Sequence, residues 1–272
     1  MPATRRELVA ALGVALGSAG CVSTPSRRSD GATATSPATS STESRQVSMG
    51  TTVTVSGTSV TVENPRVRKA VVTPGMAHTR VVANAGQFVV VDIAVDGATP
   101  DQPFDREFRS AVDGETRDGS DPLPTTDAGG YAFALPATRH DRGAIQWATD
   151  ETDVYWTLPR AVLGSLAVEP IFSVTAFRVP HRDGERVLEL TVANEGERDG
   201  HFAARASFDG YSGGSIVEFP VPAGESETYT GRPGDVLLYF ENHGGETLTV
   251  EYPADEGLRS IERTVSSSAT EE

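Results

Sequence analysis

The chain has 272 residues, with 38 acidic against 23 basic side chains and a formal net charge of −15. That balance excludes a nucleic-acid partner, because such a surface repels a phosphate backbone. The only cysteine is Cys21, which excludes disulfide stapling, so any folded region must be stable through its own apolar core.

The N-terminal stretch has the order of an export signal: Arg5 and Arg6, then an apolar run from Leu8 to Leu16, then small residues from Gly17 to Gly20. The apolar run is too short to cross a hydrocarbon layer of about 30 Å as a helix. The paired arginines resemble a twin-arginine export signal, and Leu16 to Cys21 resembles a prokaryotic lipobox. The resemblance implies a lipid on the Cys21 sulfur and cleavage after residue 20. Two acyl chains give stable membrane attachment. The expected location is therefore the extracytoplasmic face of the cell membrane.

Residues 21–49 are rich in Ser, Thr, Pro and Ala, with few apolar residues. This composition predicts a disordered tether. From residue 50 the pattern turns to β. Val53, Val55, Val60 and Val62 alternate with Thr and Ser around Gly57, the signature of a hairpin. Val67 to Val72 continues it. In Gln87 to Val95, Val89, Val91, Ile93 and Val95 share one face, while Phe88 and Val90 make the other partly apolar, as in a central strand. Further strands are expected at Phe104–Val112, Tyr131–Leu135, Ala144–Ala148 and Val154–Leu158. Gly86 and the run Phe88 to Val91 resemble the immunoglobulin-like domains of prokaryotic lipoproteins. That places a first β-sandwich at 50–167. Pro159 to Leu166 reads as a short bridging helix with Pro at its first position.

A second sandwich is expected at 168–265. Leu188, Leu190 and Val192 alternate with polar neighbours, as do Phe202, Ala204, Ala206 and Phe208 after the loop from Asn194 to Gly200. This predicts antiparallel strands with one wet and one dry face. Val221 to Ser226 is a turn, and Val236–Phe240 and Thr247–Tyr252 are later strands. The Asn194-to-Gly196 strand end and the Ala223-Gly224-Glu225 turn resemble adhesion-like sandwich modules of prokaryotic surface proteins. Residues 266–272 read as a disordered tail. The fold class is therefore all-β: two tandem immunoglobulin-like antiparallel β-sandwiches behind a signal peptide and tether. Of the 23 basic residues only Lys69 is lysine. Acid excess with lysine depletion resembles proteins of salt-loving archaea, where high salt screens self-repulsion. The chain is thus similar to halophilic surface lipoproteins of unassigned function.

Catalytic motifs are sparse. The five histidines are scattered, and neither a P-loop, a dinucleotide fingerprint nor a complete nucleophile elbow occurs. No catalytic residue and no cofactor is expected. Asp113, Glu115, Asp118 and Asp121 alternate in a Gly-containing stretch, the weak candidates for Ca²⁺; the solvated loop is the simpler account. Trp156 and Tyr211 are the candidate binding aromatics, with one of the adjacent pair Tyr155 and Trp156 expected in the core and the other outside. The expected function is a membrane-anchored, non-catalytic binding or adhesion-type module meeting an unknown protein or glycan. The alternatives are an accessory subunit of an envelope transporter or secretion complex, and a hydrolase with His140 or His181 beside carboxylates in a cleft.

Overall fold

Valines alternating with hydroxyl residues give strands with one buried face, and those strands stack here into two sandwiches. In the computed structural model the described residues are 43–75, 78–96, 108–116, 122–127, 129–209, 213–232, 236–237, 247–254 and 257–265. The first sandwich contains β1 (Glu43–Ser48), β2 (Thr52–Val55), β3 (Thr58–Thr73), β4 (Arg80–Asp96), β5 (Phe108–Val112), β6 (Glu115–Thr116), β7 (Leu123–Pro124), β8 (Gly130–Leu135), β9 (Gly143–Ala148) and β10 (Thr152–Thr157). Its sheets run β2-β3-β4-β8-β7 and β1-β10-β9-β5-β6. Helix α1 (Arg160–Leu166) follows, starting one residue after Pro159, which occupies the N-cap.

The second sandwich contains β11 (Phe172–Arg178), β12 (His181–Arg182), β13 (Glu185–Arg186), β14 (Leu188–Asn194), β15 (Gly200–Phe208), β16 (Ser215–Val221), β17 (Ser226–Gly231), β18 (Thr247–Ala254) and β19 (Gly257–Thr264). Its sheets are β11-β14-β17 and β16-β15-β18-β19, with β12-β13 as a small ribbon. The all-β architecture is as the alternation implies.

Each sandwich has its own core. Val60, Val62, Val89 and Val91 of one sheet meet Ile145, Trp147, Val154 and Trp156 of the other. In the second, Leu188, Leu190 and Val192 meet Phe202, Ala204, Ala206 and Val250. Packing sheet on sheet in this way removes both inner faces from water, about 25 cal/mol per Å² of apolar surface.

The two sandwiches share one hairpin. β3 and β4 pair from Ser59 opposite Asp96 as far as Thr73 opposite Arg80. Their near half belongs to the first core. Their far half carries Ala70, Val72 and Val81 onto Ala203 of β15. The expected wet face of β15 is therefore corrected: Ala203 is buried, because the hairpin lies across that face and a small side chain lets it approach. Residues 41–272 accordingly form one compact unit.

The ladder is irregular where the hairpin passes from one sandwich to the other. Arg68 pairs with Phe88, but Ala70 pairs with Ala83. Such a bulge re-aims side chains, and here it turns Lys69 and Gln87 inward. Gln87 is fully buried. Its Nε2 donates to the carbonyls of Leu166 (2.8 Å) and Ser165 (3.2 Å), capping the last turn of α1. Its Oε1 accepts from Arg198 Nη2. Arg198 Nε also donates to Val168 O at 2.8 Å, and Lys69 Nζ reaches Glu169 Oε1 at 3.1 Å. Gly86 fits the same crossing: a Cβ there would lie 2.1 Å from Leu135 O.

Three local expectations change. Glu43–Ser48, read as the end of the tether, is a strand that pairs in parallel with β10. Val236 and Leu237 are helical and fully buried rather than extended; residues 238–240 lie outside the described residues. β11, β16, β17 and β19 are strands that the apolar pattern did not single out.

Candidate functional site

The first sandwich presents a groove on the outer face of the β1-β10-β9-β5-β6 sheet. Period-two geometry sends Trp156 inward and Tyr155 outward. Tyr155 stands beside Gln46, its register partner on β1, and both line the groove. Burial, followed by the nearby Asp153 charge, pushes the Tyr155 hydroxyl pKa up, so the phenol stays protonated and able to donate. One wall is α1, through Arg160 and Leu163. Another is the end of the loop before β9, through Asp141 and Arg142. The groove encloses about 490 Å³. A second hollow of about 620 Å³ abuts it and shares Asp141, Arg142, Arg160 and Leu163. Arg139 also lines this second hollow. Volumes of this size suit a small ligand.

Arg139, Arg142 and Arg160 are exposed. No ion pair engages any of the three among the described residues. Some arginines elsewhere are paired: Arg66 with Asp92 (2.8 Å) and Asp127 (2.7 Å), Arg205 with Glu251 (3.1 Å), and Arg232 with Glu185 (2.9 Å). The exposed Arg45, Arg178, Arg259 and Arg263 have no ion pair among the described residues either, so what sets the three apart is that they line adjoining hollows.

The loop that carries two of these arginines is held from below by Asp113. Asp113 and Gly114 form the tight β5–β6 turn, both with positive φ (53° and 91°), as a two-residue hairpin requires. Asp113 Oδ1 accepts from the backbone N–H groups of Asp141 (3.0 Å) and Arg142 (3.1 Å). Its Oδ2 accepts from His140 Nδ1 at 2.8 Å. A carboxylate only accepts, so Nδ1 carries the proton. His140 Nε2 lies 3.3 Å from Thr138 Oγ1. The His140 hydrogen bond first, then the two amides, hold the Asp113 carboxyl below the ordinary carboxylate range.

Hydroxyl, imidazole and carboxylate in a row have the connectivity of an acyl-transfer relay. The amides of Asp141 and Arg142 are both turned onto Asp113, so the row fixes the loop. His181, the other histidine considered for a cleft, is exposed in the β12–β13 ribbon.

Trp156 is corrected: it is fully buried, donates Nε1–H to Thr51 O at 2.8 Å, and belongs to the core. Its neighbour Tyr155 is the outward member of the pair. Asp113 is engaged by His140 and two amides, and Glu115 is exposed on β6. Among the described residues no three His, Cys, Asp or Glu side chains are placed to hold a metal. Asp118, Asp121, Tyr211, Arg5, Arg6 and Cys21 lie outside the described residues. The arginine cluster was missed because its members are spread over 22 positions on a loop and a helix; the signal that existed was Arg-His-Asp-Arg at 139–142. No family model, curated protein or solved structure matches the chain.

Proposed function

We propose that this chain is a lipid-anchored, extracytoplasmic binding module without catalytic activity, held at the membrane through Cys21 and presenting the groove beside α1 to its ligand. The observation that carries the reading is the groove itself: a clamped loop, a helix and an outward sheet face enclose a ligand-sized space lined by hydrogen-bonding side chains. The joined sandwiches supply a rigid support for it, which limits the ordering cost of binding. The acidic surface suits a high-salt setting, where screening relieves self-repulsion.

The test is capture from native membranes at native salt, comparing the wild-type chain with Thr157→Trp, a substitution at the exposed last residue of β10, which lines the groove. The module reading expects a glycan or small ligand bound by the wild type and lost in the variant. A stoichiometric membrane protein recovered equally by both would instead make the chain an accessory subunit of an envelope complex. Ester or glycoside turnover that disappears in His140→Ala would overturn the non-catalytic reading.

A further inference from the structure

The ligand class follows from the charges that the groove leaves open, and the inference rests on the binding-module reading above. This chain has 38 carboxylate side chains and only 23 basic ones. Arg66, Arg182, Arg205 and Arg232 take carboxylate partners, and scattered exposed arginines such as Arg45, Arg178, Arg259 and Arg263 do not, so the observation that matters is the grouping of three guanidinium groups around one recess. Arg139, Arg142 and Arg160 converge on one pair of abutting hollows without an ion pair among the described residues. Asp113, the carboxylate beneath the loop, is already occupied by His140 and two amides. Asp141 shares the lining, so the guanidinium groups outnumber the open carboxylates there.

We infer that the groove binds an acidic saccharide, with a carboxylate or sulfate gripped by Arg142 and Arg160 and sugar hydroxyls laid on the sheet face. Guanidinium groups form paired, charge-assisted hydrogen bonds to planar carboxylates and to sulfate oxygens. The floor supplies what a sugar needs: Ser44, Gln46 and Thr116 offer short polar groups, and Tyr155 offers a ring flank with a protonated hydroxyl. An acidic peptide is the poorer match. Extended peptides bind by adding to a sheet edge through backbone bonds, whereas this groove runs across the outer face from β1 to β6 and most of its lining is on that face.

The experiment is isothermal titration of the full chain with trigalacturonate, with a sulfated galactotriose, with neutral galactotriose and with a hexaglutamate peptide, at the salt where the fold is intact. At least one acidic trisaccharide is expected to bind about tenfold or more tighter than the neutral one, the worth of one charge-assisted pair. Arg142→Ala and Arg160→Ala should each remove most of that margin without moving the melting temperature. Arg142→Lys should restore only part of it, because it keeps the charge but not the fork. Equal binding of neutral and acidic sugars, or affinity indifferent to both arginines, overturns the acidic-ligand inference while leaving a binding groove. Tighter binding of hexaglutamate overturns the saccharide. If no probe binds but Thr157→Trp still abolishes capture from membranes, the ligand class is wrong and the module reading stands; if neither occurs, both fall.

Discussion

The side chain of Asn194 makes four hydrogen bonds from a position only 1% exposed. Its Nδ2 donates to Arg198 O (2.8 Å) and Val221 O (3.1 Å), and its Oδ1 accepts from the N–H groups of Ile171 and Gly196 (both 3.1 Å). Its backbone meets Gly224 and Glu225. The strand-end and turn motifs noticed in the sequence are therefore one structural joint, seen twice along the chain. Asn194→Ala leaves several buried groups unpaired and should cost about 3 kcal/mol, read as a lower denaturant midpoint with an unchanged slope. Among the described carboxyls, Asp113 and Asp92 are held below the ordinary range. Burial pushes Asp92 up, but hydrogen bonds from Arg66 and Asn64 outweigh it and leave its pKa lowered. A carboxyl with a depressed folded pKa stabilises fully above its unfolded value near about 4 and loses that contribution as pH falls through the folded value. Asp113→Asn should flatten the acid limb of a melting-temperature profile below about pH 4. A limb as steep as that of the wild type would remove Asp113 from the account.

At the scale of elements, the β3–β4 hairpin is the piece that serves both cores. Its far half rests on Ala203, so Ala203→Arg should lift the tip from β15 and cost about 1–3 kcal/mol by overpacking. Hydrogen exchange should then quicken at 70–73 and 80–83 while the near half stays protected; uniform quickening would mean that the hairpin melts as one. Much of this element was legible in its sequence. Alternating valines gave the strands, and the apolar Phe88 and Val90 on the second face gave a central position. Its continuation into the second sandwich was not, because small alanines carry no periodic signal and the covering partner lies more than a hundred residues away. β1 and β19 escaped for a related reason. Nearly all their side chains are exposed, so beyond Val47 and Ile261, which reach the cores, backbone pairing defines them, and composition makes β1 look like tether. The groove was the least legible part, since proximity across a loop, a helix and a parallel edge strand has no local signature.

For the whole molecule, two cores joined by a shared hairpin and a buried polar crossing should unfold together. We expect one calorimetric transition for the wild type, with agreement between calorimetric and van't Hoff enthalpies. Gln87→Ala removes the side-chain donor to the α1 carbonyls and the acceptor of Arg198 Nη2, and should split the melt into two transitions. A single undisplaced transition in the variant would show that the hairpin alone couples the sandwiches. The crossing also holds the chain's only lysine, Lys69, at 3% exposure. The folded body therefore offers amine-directed reagents no accessible side-chain target. Acylation of that one side-chain nitrogen, located by peptide mapping that separates Lys69 from the N-terminal amine, becomes a built-in clock for how often the sandwiches part, without a substitution to disturb what is being timed.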